Sequence, residues 1–153
     1  MSAKDRGGEP KLIFPALAGF YAAVFDLWYP LIRITVGGIL LVHGWGKIHT
    51  GVAGIAGFLG HLGLTPAVPL AYVVLILETI GAVCIILGLF TRFFAAAIAI
   101  ELAVALWVVH YSKGFSVSGG GYEYVLMWGI IMFAIALRGG GPYSLDRVIG
   151  REL

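Results

Sequence analysis

The residues of this chain that could carry chemistry are ionisable side chains set inside, or at the ends of, long apolar segments. His43 and Lys47 are four residues apart, so a helix would place both side chains on one face. His110 follows a later apolar segment, and Glu123 lies at the start of the next one. Charged groups in an apolar environment are costly and usually have a partner or a task. These residues are therefore the first candidates for a functional site.

The candidate residues reach similar depths if each apolar segment is a helix that crosses a membrane. At ~1.5 Å per helical residue, His43 would lie about 7 Å and Lys47 about 13 Å from the membrane midplane, in the same half as His110 and Glu123. Such a cluster could bind a quinone headgroup, because His or Lys can donate to a carbonyl and Glu can accept protons. Trp45 could form a wall of this site. A fixed polar network that seals the helix ends, with Lys47 extending to water, is an equally good interpretation.

A second group of charged residues lies deeper in the apolar segments. Glu78 and Glu101 are near the middle of two consecutive segments, and Arg33 lies in the segment before them. Two neighbouring carboxylates in a low dielectric cannot both stay ionised, so either one is protonated or Arg33 compensates them. We predict a buried ion network in which Arg33 contacts at least one of the carboxylates. A structural role is favoured over a proton relay, because one arginine with glutamate partners explains the pattern.

Several kinds of site are disfavoured by residue type and spacing. Cys84 is the only cysteine, which removes disulfide frameworks, CxxC redox pairs and cysteine-held iron–sulfur clusters. No HxxxH or ExxH pair is present, so we expect no metal site, and a haem held by His43 and His110 is a weaker alternative. The net charge is only +2 and no basic stripe is present, so we expect no nucleic-acid partner.

The composition predicts a membrane protein. Hydrophobic residues make up 60% of the chain and charged residues 12%, whereas a soluble domain carries about 25% charged residues. Four apolar segments approach the ~20 residues that a membrane-crossing helix needs. They are Leu27–Ile48, Pro69–Leu89, Phe93–Val109 and Tyr122–Leu137. We predict an all-α fold, an integral membrane four-helix bundle with an N-terminal interfacial helix.

The predicted organisation has three parts. Residues 1–26 form a cytoplasmic tail and an amphipathic helix on the membrane surface, residues 27–138 form the four-helix bundle, and residues 139–153 form a cytoplasmic tail. The interfacial helix covers residues 12–25, about 14 residues and too few to cross a bilayer. An alternative is that this segment extends the first membrane helix as one long tilted helix.

The connections between the segments are predicted from their glycine and proline content. Residues 50–69 are rich in both and could hold a short amphipathic helix, whose apolar face would contain Ile55, Phe58, Leu59 and Leu62. The turn 88–92 is short, so the second and third segments should form an antiparallel hairpin.

Orientation is predicted from the distribution of lysine and arginine. Both termini and the turn 88–92 would share one side of the membrane, and eight of the 10 basic residues belong to that side. Only Lys47 and Lys113 belong to the other side. Because basic residues are retained in the cytoplasm, we expect a multi-pass protein of the bacterial inner membrane with both termini inside.

The order of the short motifs resembles that of the DoxX family, small four-helix bacterial membrane proteins. The resemblance covers about residues 28–147. Its motifs are Arg33, Gly37 and the run LVHGWGK over 41–47, then Glu78, LGLFTR over 87–92, Glu123 and GPYSLD over 141–146. Related proteins include the DoxD-like membrane subunit of thiosulfate:quinone oxidoreductases and MauE-like proteins of amine dehydrogenase maturation.

The candidate residues, together with the resemblance, leave two functions open. In the first, the chain is a membrane subunit of a respiratory, quinone-linked oxidoreductase; it anchors a partner subunit and offers a quinone site at His43, Lys47, Trp45, His110 and Glu123. In the second, it is a non-catalytic accessory or assembly subunit of a larger membrane complex. Either function implies other membrane subunits and the lipid bilayer as partners. A transporter is a poorer interpretation, since no internal repeat or pair of broken helices is visible.

Overall fold

The computed structural model describes residues 12–153; residues 1–11, the start of the predicted N-terminal tail, lie outside the described residues. All regular elements in the described part are helical. Three helices are long and apolar enough to cross a membrane: Trp28–His61, Ala67–Leu87 and Thr91–Lys113. The fourth predicted segment forms a helix of 16 residues, Glu123–Arg138, which is shorter than the ~20 residues that a full crossing needs.

The helices are labelled in chain order. They are α1 (Ala18–Val24), α2 (Trp28–His61), α3 (Ala67–Ile76), α4 (Ala82–Leu87), α5 (Thr91–Ala105), α6 (Glu123–Arg138) and α7 (Leu145–Ile149). A π-helical turn, Leu77–Gly81, joins α3 to α4, and a second, Leu106–His110, continues α5. Short 3₁₀ turns are Pro15–Leu17, Tyr111–Lys113 and Val117–Gly119.

Helix α1 lies where the sequence predicts the interfacial helix. It has seven residues, none of them buried, and Phe20 and Tyr21 are exposed. Three residues, Phe25 to Leu27, separate it from α2. It is therefore a separate short helix and not the first turns of α2.

The predicted break after the first segment is a kink within α2. Gly51 has φ 74° and ψ 158°, outside the helical region, and a residue without a Cβ adopts such angles readily. The helix then resumes and runs to His61, so the predicted short helix is present. Its residues Ile55 and Leu59 pack on Ala71 of α3 in a small buried cluster.

One buried core joins α2, α4, α5 and α6. Helix α4 ends at Leu87 and is followed by Gly88 (φ 68°), and only three residues separate α4 from α5, which forms the predicted tight hairpin. The α5 and α6 helices pack closely against each other. The core contains Val36, Leu40, Ile85, Ile98, Met132 and Ile135.

The C-terminal residues 139–153 fold back onto the bundle, and we call this segment the C-terminal clasp. The Arg33 side chain, 1% exposed, donates to the carbonyl oxygens of Gly140, Tyr143 (2.7 Å) and Ile86 (3.5 Å). The Tyr29 hydroxyl donates to the Gly139 carbonyl. A buried guanidinium thus satisfies carbonyl groups of the clasp and of α4 that would otherwise lack donors.

Asp146 connects the clasp to the α4–α5 turn. Its Oδ1 accepts from the Phe90 amide (2.7 Å), and its Oδ2 accepts from the Thr91 amide (3.0 Å) and hydroxyl (2.6 Å). In return, the Asp146 amide donates to the Gly88 carbonyl (2.9 Å). The carboxylate therefore lies at the positive N-terminus of α5, where a negative charge is stabilising.

The position of Arg33 corrects the predicted ion network, in which Arg33 contacts Glu78 or Glu101. Arg33 binds carbonyl groups at the clasp end, whereas Glu78 pairs with Lys47. Lys47 follows Arg33 by fourteen residues along α2, which is about 21 Å at ~1.5 Å per residue. That separation exceeds the combined reach of an arginine and a glutamate, so one arginine cannot serve both levels of the bundle.

We predict that Asp146→Ala lowers stability far more than Asp26→Ala. The first substitution removes an acceptor of three hydrogen bonds, and hydrogen bonds to a charged group contribute ~1.5–3 kcal/mol each. The loss should reach about 3 kcal/mol, measured by thermal unfolding in detergent. Asp26 is an exposed aspartate and serves as the matched control. Equal melting temperatures for the two variants would show that the clasp contributes little to stability.

Candidate functional site

A cavity of about 230 Å³ lies between α2, the two π-helical turns, α5 and α6. Apolar side chains such as Leu40, Leu102 and Val125 form part of its wall. Its lining side chains with polar atoms are His43, Lys47, Glu78, His110, Tyr124 and Trp128. Pockets with apolar walls and a few convergent polar groups are the usual form of small-molecule sites.

An ion pair crosses from α2 to the first π-helical turn at this cavity. Lys47 Nζ contacts Glu78 Oε1. Glu78 is 7% exposed, while the Lys47 side chain is 35% exposed. The pair therefore links a buried carboxylate to an ammonium group that still reaches the surface. The other oxygen, Glu78 Oε2, is buried and has no hydrogen-bond partner among the described residues.

Close contact between α2 and the first π-helical turn makes this ion pair possible. A Cβ placed on Gly44 would lie 2.2 Å from the Glu78 carbonyl oxygen, so only glycine fits there. One turn of helix separates Gly44 from Lys47 on the same side of α2. The glycine thus brings the two backbones together beside the two charged side chains.

Both π-helical turns carry an ionisable residue that lines the cavity. The turn Leu77–Gly81 contains Glu78, and the turn Leu106–His110 contains His110. A π-helical turn inside an α-helix inserts one residue and rotates the side chains that follow, and such turns are frequent at functional sites. The shared placement makes this cavity the candidate functional site.

His110 is held in a defined orientation. Its Nδ1 lies 2.7 Å from the Gly120 carbonyl oxygen. Because a carbonyl only accepts, Nδ1 carries the proton, and Nε2 is the second nitrogen available for a ligand. The loop between α5 and α6 therefore orients a cavity imidazole.

The structure brings together three of the five residues predicted for the quinone site. His43, Lys47 and His110 line the cavity. Trp45 does not: it is 63% exposed, and its ring packs against His49 at a centroid distance of 5.2 Å. Two helical residues turn the side chain by about 200°, so Trp45 faces away from His43.

Glu123 also lies outside the cavity, which corrects the predicted cluster. It is exposed, and its Oε2 accepts from the Val117 amide at 3.1 Å. The Glu123 amide donates to the Phe115 carbonyl at 2.9 Å. Glu123 therefore closes the α5–α6 loop, because both its side chain and its amide are hydrogen-bonded to residues of that loop.

Sequence reasoning placed Glu78 at a deeper level than Lys47, and the structure brings them together. A helical side chain points toward the N-terminus of its helix, which directs Lys47 back to the level of His43 and inward. That rule could have suggested the pair. Tyr124 and Trp128 gave no such signal, since aromatic residues near helix ends are expected in membrane proteins without a ligand.

Glu101 lies on α5 within electrostatic reach of both Glu78 and Lys47. Its Oε2 is buried and lacks a hydrogen-bond partner in the described part of the chain. Within residues 12–153, no group of three or more His, Cys, Asp or Glu side chains could hold a metal ion. The cavity is therefore lined by the Lys47–Glu78 ion pair and two separate imidazoles, and Glu101 is a second carboxyl next to the lining residue Leu102.

Comparison with known proteins identifies the family. The family model described as DoxX matches residues 29–111. The chain belongs to the DoxX family. The matched range includes Arg33, His43, Lys47, Glu78 and His110, and it stops before α6 and the clasp.

Related DoxX-family proteins include two from Haemophilus influenzae, both described as uncharacterized. One is 30% identical over 121 residues, 75% of this chain and 85% of the relative. The other is 32% identical over 72 residues, 47% of this chain and 48% of the relative. A third, from Bacillus subtilis, is named "Putative oxidoreductase CatD" and is 32% identical over 122 residues, 80% of this chain and 87% of the relative. No solved structure gave a significant match.

We predict that Gly44→Ala destabilises the protein and Gly46→Ala does not. An added methyl at Gly44 would meet the Glu78 backbone at 2.2 Å, whereas nothing lies within 4 Å of the same position at Gly46. Overpacking typically costs ~1–3 kcal/mol, and alanine is otherwise the better helix residue at both sites. Thermal unfolding of the two variants in detergent measures the difference. A Gly44→Ala variant as stable as Gly46→Ala would contradict this helix contact.

Proposed function

We propose that this DoxX-family protein is an integral membrane subunit of a respiratory, quinone-linked oxidoreductase complex. The cavity would receive the quinone headgroup in the outer leaflet. The observation that carries the proposal is a set of hydrogen-bonding groups beside one apolar-walled cavity. His43, Lys47 and His110 line it, and so does Trp128, whose buried indole Nε1 has no partner among the described residues. A buried donor without a partner needs an explanation, and a ligand carbonyl would provide one.

The residues at the cavity suit a quinone in both of its redox states. A quinone carbonyl accepts hydrogen bonds, which an ammonium, an imidazole or an indole N–H can donate. A quinol hydroxyl gives up a proton on oxidation, and an imidazole can accept it at neutral pH. The B. subtilis relative that is named an oxidoreductase supports a redox role for the family. With one cysteine, this chain has no ligand set for an iron–sulfur cluster, so we propose that a partner subunit exchanges the electrons.

Access from the lipid supports a quinone over a water-soluble ligand. His43 is exposed, and Tyr124 is 37% exposed, although both line the cavity. On a helix surrounded by lipid, exposed side chains mark an opening toward the bilayer. Quinones diffuse within the bilayer and would enter on that side.

We propose that α6 completes a four-helix membrane bundle despite its length. It contributes Met132 and Ile135 to the core shared with α2, α4 and α5, and residues of the preceding loop can occupy the outer interface. The bias of basic residues supports the bacterial inner membrane with both termini in the cytoplasm.

An accessory or assembly role is the second candidate, because the third apolar helix is poorly covered. Only 11% of its most apolar stretch is buried within the structure, against 39% for the second apolar helix. Ile100 and Trp107 are 67% and 68% exposed. A larger membrane subunit could pack on this face, and such a role needs no ligand in the cavity.

We predict that His43→Ala and His110→Ala each weaken binding of decyl-ubiquinone about tenfold, equivalent to ~1.4 kcal/mol. His43→Ala removes a donor to a quinone carbonyl. His110→Ala removes an imidazole whose Nε2 can donate to a carbonyl only in the cationic form, because its Nδ1–H already donates to the Gly120 carbonyl. The measurement is quenching of tryptophan fluorescence in the purified protein in lipid nanodiscs, with Trp128 as the tryptophan in the cavity wall.

His49→Ala is the matched control for this binding experiment. His49 lies on the same helix, but its Nδ1 interacts with the Trp45 carbonyl at 2.9 Å and it does not line the cavity. The control should bind like the wild type, and Glu123→Gln should as well. If all four variants bind equally, or the wild type does not bind, the quinone site is rejected and the accessory role gains support.

The proposed orientation predicts the labelling of single cysteines in intact cells. Ser116→Cys, in the exposed α5–α6 loop, should react with a membrane-impermeant maleimide. Val148→Cys, 82% exposed in α7, should react only after the membrane is permeabilised. The native Cys84 is buried and contributes little background. The reverse pattern of labelling would place both termini outside.

A further inference from the structure

Two carboxyl groups beside the cavity each have a buried oxygen without a hydrogen-bond partner in the described chain. These atoms are Glu78 Oε2 and Glu101 Oε2. Glu78 as a whole is only 7% exposed, and its other oxygen contacts Lys47. A buried acceptor without a donor carries a large desolvation cost, so two such atoms at one place require a common explanation.

The antiparallel packing of α5 against the α3–α4 segment places these carboxyl groups opposite each other. A Cβ on Gly81 would lie 3.1 Å from Phe94 Cδ1 and 3.5 Å from Ile98 Cδ1, so Gly81 faces the turn of α5 between these two residues. Three residues back from Gly81 is Glu78, and three residues forward from Ile98 is Glu101. Because the two segments run antiparallel, moving back from Gly81 and forward from Ile98 leads toward the same end of the bundle, and α5 contacts the π-helical turn that contains Glu78.

The charges of Lys47, Glu78 and Glu101 sum to zero only if one carboxyl group carries a proton. Lys47 is the cation that contacts Glu78, and Arg33 is bound to carbonyls at the clasp end. Two ionised carboxylates with one ammonium leave a net negative charge in an apolar interior, which is strongly disfavoured. The other titratable groups at the cavity are His43, His110 and Tyr124, and His110 already donates from Nδ1 to the Gly120 carbonyl.

We propose that Lys47, Glu78 and Glu101 form a neutral triad that holds one exchangeable proton, carried by Glu101. The charge of Glu78 is stabilised by contact with Lys47, so the proton belongs on the carboxyl that lacks this contact. A hydroxyl on Glu101 that donates to Glu78 Oε2 would satisfy both buried oxygens with one hydrogen bond. Bridging α2, the first π-helical turn and α5, the triad is a proton-binding site beside the cavity.

The proton site explains how a charge change in the cavity can be compensated. When a ligand draws Lys47 away from Glu78, the O–H bond at Glu101 breaks and the proton passes to the Glu78 carboxylate. Glu101 is then ionised and, if the ligand is a quinol, can accept the proton released when the quinol O–H bond breaks, so every proton is accounted for. The triad itself does not require the ligand to be a quinone.

Infrared spectroscopy of the full-length protein in lipid nanodiscs, without quinone and at neutral pH, tests the proposal. The wild type should show the carbonyl stretch of a protonated carboxylic acid, and this band should shift in ²H₂O. The band should vanish in Glu101→Gln and persist in the control Glu123→Gln, whose carboxylate is exposed. Absence of the band from the wild type, or its persistence in Glu101→Gln, overturns the proposal.

Melting temperatures provide an independent readout. Glu101→Gln should melt like the wild type, because glutamine is neutral and can donate to Glu78 as the protonated acid does. Glu78→Gln should melt at a lower temperature, because it leaves Lys47 without its anion. A large loss of stability in Glu101→Gln, with Glu78→Gln unaffected, would assign the charge to Glu101 and reject the triad as written. Because no quinone is present, failure of this proposal is distinguishable from failure of the quinone site.

Discussion

Every charged group inside this bundle needs a polar partner at a similar position along the helix axes, because an apolar interior and the surrounding lipid offer no hydrogen-bond partners. This constraint divides the buried polar residues into two groups. Near the clasp end, Arg33 satisfies carbonyl groups and Asp146 caps α5. Farther along α2, Lys47 pairs with Glu78 at the cavity. The two groups are too far apart along α2 to share a charge, so the Arg33 and Lys47 side chains have separate partners.

The two levels have different consequences for function. At the clasp, Arg33 and Asp146 make several hydrogen bonds each, although Arg33 Nε has no partner among the described residues, and these bonds tie the chain's last residues to the α4–α5 turn. The clasp therefore explains the Arg33, LGLFTR and GPYSLD motifs as structural. The cavity level keeps unpaired atoms, among them Glu78 Oε2, Glu101 Oε2 and Trp128 Nε1. Unsatisfied buried groups cost stability, and their collection beside one cavity points to a ligand or a proton.

Backbone geometry makes the cavity level possible. Gly44 lets α2 approach the Glu78 backbone, and the π-helical turns place Glu78 and His110 at the same cavity. Each π-helical turn contains one extra residue. Without that residue, the side chains that follow would be rotated by about 100° around the helix axis. The functional proposal thus depends on the two π-helical turns and on Gly44, which has no side chain to separate the two helices.

The sequence by itself determined the membrane character, the helical segments, the tight hairpin and the pairing of His43 with Lys47 on one face. Each of these follows from local properties: apolar length, glycine and proline positions, and a spacing of four residues. Only the tertiary structure decided that Glu78 and not Glu123 joins this face, that Trp45 points away, and that Arg33 serves the clasp. These contacts depend on how far one helix is shifted and rotated against another. That offset is set by close backbone contacts and π-helical turns, for which spacing along a single helix carries no signal.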